Sequence, residues 1–560
     1  MRNAWMVVVP WWCLGATVLA ADGSLAEWIG ADAALFVEVR ELDRHWRDLA
    51  ESELGRRWTA SPKRTEFWQS PAGTSWSVLD AHVGAATGLS FTAHIRQLFG
   101  DAVALALYLP DDGAPRGMLA ARAVSEAALD RALQAWDRVE PPLRIERKTT
   151  AGGAYARRVV KKGDSEQSLF FARRERVFLL SDHEALIREC LDRGGQRPAE
   201  ASGGSSDRLS AVPEFAAAAA RFPQDSVAVV FLQPRRWDAV LQRDFGASPS
   251  ARHWMEVWKS IRSCSSWVTR ERGLRLELLV QLDEERVSSE WRAFAEPSAP
   301  PSILSMISPE TVAVCGARMR PNWLLAQWQQ VLAERDREQV AKARRLLRGL
   351  LQGHDPLDDV AANLFGDWGL VLERHAAADS AGSTESAEPA WWTGWTLTGV
   401  FWPSSGWSHA LRDGLDNALQ FAANALAFDR NQRMDDQPWW LTRGEETGAT
   451  FRVLRTSLDL QPAFGWAATR LAVSTHVAAL RRHLLPPEPA RPAVPLPPEL
   501  SSARVIAWGQ WQPLRERNIL RHLPWPVRLV AELTDEATLT LNWTAAEIRL
   551  QAALSVHPPQ

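Results

Sequence analysis

The stretch Leu98–Pro110, LFGDAVALALYLP, decides the architecture that we predict for this chain. Its opening tetrapeptide LFGD returns at Leu364–Asp367, where a short apolar segment again follows it. In each copy the pattern is typical of the end of a helix, a glycine at the C-cap and then a strand. The recurrence predicts that the chain contains the same structural unit twice.

Other landmarks recur in the same order along the two halves. Gly152–Arg158, GGAYARR, parallels Thr447–Val453, TGATFRV, and Phe178–Ile187, FLLSDHEALI, parallels Leu471–Leu480, LAVSTHVAAL. Apolar strand patterns arrive mostly as hairpins, with helical patterns between the sets. We therefore predict an α+β fold of two degenerate repeats, each a largely antiparallel sheet with helices packed on one face.

A chain of 560 residues is too long for one core of ordinary size, and its length suggests two to four domains. We expect a signal peptide over 1–20, a first α+β repeat over 21–296, a linker over 297–308 and a second α+β repeat over 309–560. The linker prediction depends on the three prolines within Ala295–Ser305.

The first twenty residues have the composition of a secretory signal. Arg2 supplies a positive charge, Ala4–Leu19 is apolar, and Val18-Leu19-Ala20 precedes the expected cleavage position. The chain is therefore expected to be exported, to the periplasm, the cell envelope or the medium. If the segment is not cleaved, it is the one predicted membrane contact, because no later segment is apolar enough for a spanning helix.

Composition and motif searches exclude several classes of function. A formal net charge of −3 removes the broad electrostatic argument for nucleic-acid binding. The sequence contains no P-loop, dinucleotide fingerprint, His-Glu-x-x-His, paired-cysteine zinc pattern or Gly-x-Ser-x-Gly elbow. After cleavage three cysteines remain, Cys190, Cys264 and Cys315, and we expect buried single thiols rather than a disulfide framework. No catalytic, cofactor-binding or metal-binding residue is assigned, and no cofactor is expected.

An acidic cluster is the first of four weaker candidates. The run His354–Asp359, HDPLDD, places three carboxylates and an imidazole within six residues, which is the ligand chemistry of a cation site. The structural interpretation is that Asp355 caps a helix with Pro356 at its first position, and that Asp358 and Asp359 occupy the first turn.

A serine followed two residues later by a histidine recurs in both halves, as Ser181 with His183 and Ser474 with His476. A Ser–His pair suggests a nucleophile with its base. The alternative is that each serine caps the helix that follows it.

Two surfaces complete the candidates. A tryptophan set fits stacking on a glycan or aromatic ligand, unless strand alternation places its members in the core: Trp391, Trp392, Trp395, Trp402, Trp407, Trp439 and Trp440. A basic set on predicted hairpins fits an anionic polymer or lipid surface, unless it is a solvated face that protects strand edges: Arg157, Arg158, Lys161, Lys162, Arg173, Arg174 and Arg176.

The chain resembles a known family in several segments. These are the signal segment, ALFVEVREL at Ala34–Leu42, the LFGD strand, GGAYARRV at Gly152–Val159 and FLLSDHEALI, followed by a second, degenerate copy of the same series. The group consists of large exported bacterial proteins that are catalogued only as a domain of unknown function. The resemblance implies export and a duplicated α+β architecture, and it implies no activity, cofactor or catalytic residue.

The function expected from the sequence is that of an exported envelope or periplasmic protein, a non-catalytic scaffold or binding module. Its partner is unknown, with an envelope polymer or a protein as candidates and nucleic acid excluded. The alternative is a hydrolase-like enzyme that acts on a cell-wall or extracellular polymer. That enzyme would use acids brought together from Asp355, Asp359 and Asp367.

Overall fold

The structure is a computed structural model, and it divides the chain into two compact units. The first runs to Arg286 and includes the described residues from Ala553 onward, and the second is Val287–Ala552. The predicted signal peptide, 1–20, lies outside the described residues. These are 24–110, 114–163, 165–195, 207–245, 249–270, 273–296, 298–332, 334–374, 394–404, 407–433, 438–446, 448–456, 460–485, 496–516, 520 and 525–557.

Among its described residues the first unit contains ten strands that pair in one continuous order, β4-β5-β6-β7-β3-β2-β1-β8-β9-β10, with antiparallel neighbours throughout. The strands are β1 Leu35–Arg40, β2 Ala102–Tyr108, β3 Arg116–Arg122, β4 Arg144–Thr150, β5 Gly153–Lys162, β6 Ser165–Arg174, β7 Val177–Ser181, β8 Ala228–Leu232, β9 Ile261–Thr269 and β10 Gly273–Leu282.

Strands β1 and β2 lie side by side near the centre of this sheet, joined over six residue pairs from Leu35 with Leu107 to Arg40 with Ala102. In β2 every second residue is buried, from Ala102 to Tyr108, as expected for a strand with alternating faces. Phe36 of β1 lies opposite Ala106 on one side and Phe231 on the other. The central strand is therefore packed between two apolar neighbours.

The helices of the first unit cover the sheet. They are Leu42–Glu51, Glu53–Ala60, Pro62–Gln69, Pro71–Thr87, Phe91–Leu98, Glu126–Val139, Glu184–Gly195, Pro213–Ala219, Asp238–Phe245 and Pro249–Lys259, with 3-10 turns at Leu25–Glu27, Leu209–Ala211 and Pro234–Trp237.

The described part of the second unit also contains ten strands, in the order β14-β15-β16-β17-β13-β12-β11-β18-β19-β20. The strands are β11 Thr311–Arg318, β12 Asp367–Arg374, β13 Trp395–Phe401, β14 Trp440–Glu446, β15 Ala449–Arg455, β16 Ala463–Ala467, β17 Arg470–Ser474, β18 Val505–Gln510, β19 Glu536–Trp543 and β20 Glu547–Ser555. The predicted α+β class with antiparallel sheets is thus confirmed.

The helices of the second unit are Ser289–Phe294, Pro321–Val331, Glu334–Leu350, Ala362–Leu364, His409–Arg433, Val477–Leu484, Gln512–Glu516 and Trp525–Leu533, with a π-helical turn at Pro356–Ala361 and 3-10 turns at Ser302–Met306 and Pro498–Ser502. Of the residues expected to form a linker, Ile303 and Met306 are buried in the apolar core of this unit.

The expectation that helices cover one face of each sheet is wrong. In β7, Leu179 packs with Phe36 and Ile187 on one face, while the adjacent Phe178 packs with Leu129 of helix Glu126–Val139 on the other. Neighbouring strand residues point to opposite faces, so a continuous apolar run is buried on both sides.

The second unit shows the same arrangement around β17. Ala472 packs with Leu480 of helix Val477–Leu484, and the adjacent Leu471 packs with Leu411 of helix His409–Arg433. Helices therefore cover both faces of this sheet as well.

Each LFGD segment ends a helix and begins a strand, but its glycine is not the C-cap. The C-cap residues are Phe99 and Phe365, and neither Gly100 nor Gly366 has a positive φ. A Cβ on Gly100 would overlap the Arg96 carbonyl oxygen, whereas one on Gly366 would have room. Close packing explains the first glycine, and nothing in the structure explains the second.

Candidate functional site

The acidic cluster His354–Asp359 forms a helix cap. Asp355 accepts hydrogen bonds from the backbone N–H groups of Leu357 (2.9 Å) and Asp358 (3.1 Å), and Arg344 Nη2 lies 2.8 Å from its Oδ1. Burial favours the neutral acid, but the hydrogen bonds from Asp358, Arg344 and Leu357 hold the pKa of Asp355 well below its usual range. The oxygens of this carboxylate are engaged in capping the helical turn that begins at Pro356 and in the ion pair with Arg344.

We predict that Asp355→Ala lowers the stability of the second unit by about 1–2 kcal/mol, since an N-cap is lost. Asp355→Asn should cost less than half as much, because asparagine caps helices equally well and only the ion pairs with Arg344 and Arg348 disappear. Urea unfolding followed by hydrogen exchange of peptides around 356–364 measures both values. Equal losses for the two variants would contradict the capping role.

The other proposed acids do not join Asp355 in one site. Asp367 accepts hydrogen bonds from the Ser302 backbone N–H (3.0 Å) and hydroxyl (2.6 Å), and so holds the 3-10 turn Ser302–Met306 on β12. The Asp359 carboxylate accepts from the backbone N–H of Asp355 at 2.6 Å. Each of these carboxylates is engaged in a separate structural contact.

A cleft of about 450 Å³ lies between the helices Pro321–Val331 and Glu334–Leu350. It is lined by alanine, glutamine, leucine and valine side chains together with Arg337 and Arg344. Within the described part of the chain no carboxylate lines it. The cleft therefore supplies no acid–base pair to a hydrolase.

The serines of both Ser–His pairs bond the backbone just before a helix, and His476, not Ser474, is the N-cap residue of Val477–Leu484. Ser181 Oγ accepts from the His183 backbone N–H (3.0 Å) and donates to the Gly117 carbonyl (2.7 Å). Ser474 Oγ accepts from the His476 backbone N–H (3.2 Å) and lies 2.8 Å from Thr398 Oγ1. The serine hydroxyl meets the backbone of its histidine, which is the geometry of a helix start and not of an activated nucleophile.

The tryptophan set does not form a stacking platform in the described residues, which exclude Trp391 and Trp392. Trp395 is buried, and Trp402, Trp407 and Trp439 are half-buried. Trp407 packs on Trp466 in the core, with ring centroids 5.7 Å apart. Only Trp440, 55% exposed, presents its ring to solvent among the five described members.

The basic set is split between the core and individual carboxylate partners. Arg158 is fully buried, where it pairs with Asp137 and lies 4.3 Å above the Trp136 ring. Arg173 pairs with Asp130, and the other described members with a recorded partner are Arg157 with Glu146, Arg176 with Asp101 and Arg174 above Trp28. Each of these arginines contacts its own carboxylate or aromatic ring, so the described residues do not form a free basic face.

The second unit contains a buried polar cluster around Glu373 that no local sequence pattern indicates. Glu373, at the end of β12, is completely buried, and its Oε2 lies 2.8 Å from Arg482 Nη2 and 3.2 Å from His483 Nε2. Ser308 donates to its other oxygen at 3.3 Å. Burial raises the pKa of Glu373, but the His483 and Arg482 contacts outweigh it and bring the pKa down to about 2.

The first unit contains a buried histidine that, unlike Glu373, is uncharged and lacks hydrogen-bond partners among the described residues. His45, on helix Leu42–Glu51, is 3% exposed, and within the described residues neither ring nitrogen has a hydrogen-bond partner. Burial, together with the charges of Arg44 and Arg270, lowers its pKa to about 3. The imidazole is therefore neutral in the folded protein at physiological pH.

Two helices of the second unit expose several large apolar side chains. We define the helical face as the side chains Leu346, Leu347 and Leu350 of Glu334–Leu350 and Phe421, Leu426 and Phe428 of His409–Arg433. Leu346 is 75% exposed and Phe428 65%. The two helices pack against each other. Leu346 with Leu350, and Phe421 with Phe428, lie on one side of their own helix, and exposed apolar side chains that group in this way mark interaction sites.

Three further properties of the described residues concern metal binding, membrane spanning and the state of the cysteine thiols. There, no three or more His, Cys, Asp or Glu side chains come together as a potential metal site. Likewise, the described helices include none with the length and apolarity that spanning a bilayer requires. Cys190, Cys264 and Cys315 are free thiols, of which Cys190 is fully buried and the other two are partly buried. Burial raises the pKa of Cys190 to about 12.

Comparisons with known proteins give no family. No protein-family model matches the chain, and no curated protein matches it. Among solved structures, crystal form IV of TP0453 matches with 8% identity, a TM-score of 0.22 and coverage of 50% of this chain and 83% of that one. Crystal form III of TP0453 gives 9%, 0.23, 49% and 85%. Those TM-scores are too low to identify a shared fold.

Proposed function

We propose that this chain is an exported protein of the cell envelope or periplasm that acts by binding, as a scaffold or binding module. The observation that carries the proposal is the helical face, whose six large apolar side chains are all more than a third exposed. A folded protein gains free energy by removing such a surface from water, at roughly 25 cal/mol per Å². A partner that covers it supplies that gain.

The contacts of the candidate acids are consistent with binding rather than hydrolysis. Asp355, Asp359 and Asp367 each accept hydrogen bonds from backbone N–H groups of their own fold. A general acid or nucleophile needs its oxygens directed toward a substrate. The expected hydrolase therefore receives no support from these three residues.

A second part of the proposal is that the two units are degenerate repeats of one ancestor, as in the exported family that the sequence resembles. Its support is the strand order. When β1 to β10 are renumbered β11 to β20, the order of the first sheet becomes that of the second at every position. The landmark strands β2 and β12 both follow an LFG segment and both pair with the first strand of their unit.

Site-specific photocrosslinking in the exporting cell tests the binding proposal. A photoreactive amino acid at Leu346 or Phe428 should give one discrete crosslinked species in the envelope or periplasmic fraction. The same amino acid at Glu310, an exposed position of the second unit, is the matched control and should give none. Removing 1–20 should retain the protein in the cytoplasm and abolish the crosslink. Equal crosslinking at all three positions would overturn the proposal.

A further inference from the structure

Strand β14, Trp440–Glu446, is a border of the second sheet, because within the described residues it pairs on one side only. Its partner is β15, and the pairing runs from Trp440 opposite Arg455 to Glu446 opposite Ala449. The other side of a border strand carries backbone N–H and C=O groups that can pair with a further strand. The geometry of β14 decides which strand fits there.

The hydrogen bonds of β15 show which residues of β14 face outward. The Leu454 N–H donates to the Pro462 carbonyl, so the backbone groups of Leu454 point away from β14. Backbone direction alternates along a strand, so Val453 points toward β14, where it lies opposite Thr442. The same alternation turns the N–H and C=O groups of three β14 residues outward, and these are Leu441, Arg443 and Glu445.

The outward side of the strand is occupied just before β14 begins. Asn431, on helix His409–Arg433, accepts a hydrogen bond from the Trp439 N–H (2.7 Å) and donates one to the Trp439 carbonyl (2.8 Å). A partner strand cannot use the backbone of Trp439 as well. New pairing is therefore confined to the stretch from Leu441 onward.

The charges of this stretch complement a second copy of the same strand. Arg443 and Glu445 are 67% and 71% exposed and share one face of β14, with 3.9 Å between Arg443 Nη2 and Glu445 Oε2. An antiparallel copy related by a two-fold axis at Gly444 sets Arg443 of each chain opposite Glu445 of the other. Both residues face outward, so each of these pairs would exchange two backbone hydrogen bonds and add an ion pair.

Other registers of the same two strands are less favourable. An axis at Arg443 or at Glu445 places like charges directly opposite each other, which destabilises a strand pair. An axis at Thr442 requires the backbone of Trp439, which Asn431 already binds. The charges and the Asn431 contact therefore favour the same register.

We infer that a second copy of this chain pairs with β14 in an antiparallel two-fold arrangement about Gly444, which joins two second-unit sheets into one. A two-fold interface uses one self-complementary patch on both subunits, and the alternation of Arg443 and Glu445 is self-complementary. The contact is short, so we expect a reversible dimer with a Kd on the order of 10–100 μM. This inference goes beyond the proposed function and does not depend on the helical face.

Sedimentation equilibrium of the full chain, from about 1 to about 500 μM, tests the dimer. Arg443→Glu and Glu445→Arg should each weaken it at least tenfold, because each places like charges across the axis. A mixture of these two variants should form a heterodimer, and the double variant Arg443→Glu, Glu445→Arg should recover the homodimer. Lys342→Glu, the same charge change at another exposed position of the second unit, is the matched control and should have no effect.

Three results of this experiment would overturn the inference. The first is a monomer at every concentration. The second is a loss in both single variants that neither their mixture nor the double variant restores. The third is growth into fibres without a dimer, since open-ended growth indicates that β14 pairs with a different strand.

Cysteine pairs test the register. With the axis at Gly444, Thr442 of one chain lies opposite Glu446 of the other, with Cα atoms about 4.5 Å apart. Thr442→Cys with Glu446→Cys should therefore give a disulfide-linked dimer on oxidation with diamide. Within one chain these positions are about 13 Å apart and cannot be bridged. Each single variant is a control and should give no linked dimer, and linkage in a single variant, or none in the pair, would overturn the register.

Photocrosslinking in the exporting cell distinguishes a second copy from another protein. A photoreactive amino acid at Arg443 should crosslink two copies of this chain. A crosslink to a different protein, from a chain that sediments as a monomer, would assign the border to that protein and overturn the dimer. Either outcome leaves the proposed function standing, because that proposal is tested from Leu346 and Phe428.

Discussion

Glu373→Ala should destabilise the second unit by about 3–5 kcal/mol, because the substitution leaves the His483 imidazole and the Arg482 guanidinium beside a buried position without their carboxylate. The pKa of Glu373 is about 2, compared with a usual value of 4.5. That difference alone corresponds to about 3 kcal/mol of stability at neutral pH. Urea unfolding, followed by hydrogen exchange of peptides from β12 and β13, measures the loss in this unit.

The pH dependence of this contribution has a definite sign. A carboxyl group whose pKa is depressed by folding stabilises the native state above its unfolded pKa. The contribution is lost as the pH falls from about 4.5 to about 2. Glu373→Gln should remove this dependence while keeping most of the packing.

Glu310→Ala, at an exposed position of the same unit, is the control and should change stability by less than about 0.5 kcal/mol. A similar small loss for Glu373→Ala would show that the buried cluster does not hold β12 to helix Val477–Leu484.

The first unit should lose about 1.4 kcal/mol of stability per pH unit between pH 6.5 and pH 3, through His45 alone. Its imidazole is neutral in the folded state, because its pKa there is about 3, and becomes protonated in the unfolded chain below about 6.5. The unfolded state therefore binds the extra proton, and stability falls as the pH falls. Unfolding in urea at a series of pH values, read by pulsed hydrogen exchange of peptides from β1 and β2, measures this slope.

His45→Leu should flatten that slope and raise stability at pH 7 by about 1–3 kcal/mol, since a buried polar group without hydrogen bonds is replaced by an apolar one. His82→Leu, which removes an imidazole from an exposed position of the same unit, should leave the slope in place. If His45→Leu retained the full acid dependence, another group in the first unit would be its source.

Local signals were sufficient to predict most of the sheet. The hairpin of β2 and β3 follows from apolar runs that flank an Asp- and Gly-containing turn, and the helix Glu126–Val139 follows from Ser125 as its cap. Ser61-Pro62 and Ser70-Pro71 are equally clear signals of a helix start. Each serine caps a helix with proline at its first position.

The buried cluster around Glu373 and the exposure of helix Glu334–Leu350 depend on distant residues, and the sequence could not supply them. Glu373 and His483 are 110 positions apart, and no local pattern connects a glutamate at a strand end with a histidine on a later helix. Helix Glu334–Leu350 contains good helix formers, but its leucines look like core residues until the structure shows Leu346, Leu347 and Leu350 to be exposed.

The ends of the two sheets have a consequence for handling the protein. Strands β4 and β14 each pair on one side only within the described residues, so each presents a row of unused backbone donors and acceptors. β4 is guarded by Arg144, Glu146, Arg147 and Lys148, whereas the first three residues of β14, Trp440-Leu441-Thr442, carry no charge. Charged side chains on an edge strand prevent it from pairing with strands of other molecules. Concentrated or aged preparations should therefore begin to aggregate at Trp440, and lysine at position 442 should delay it.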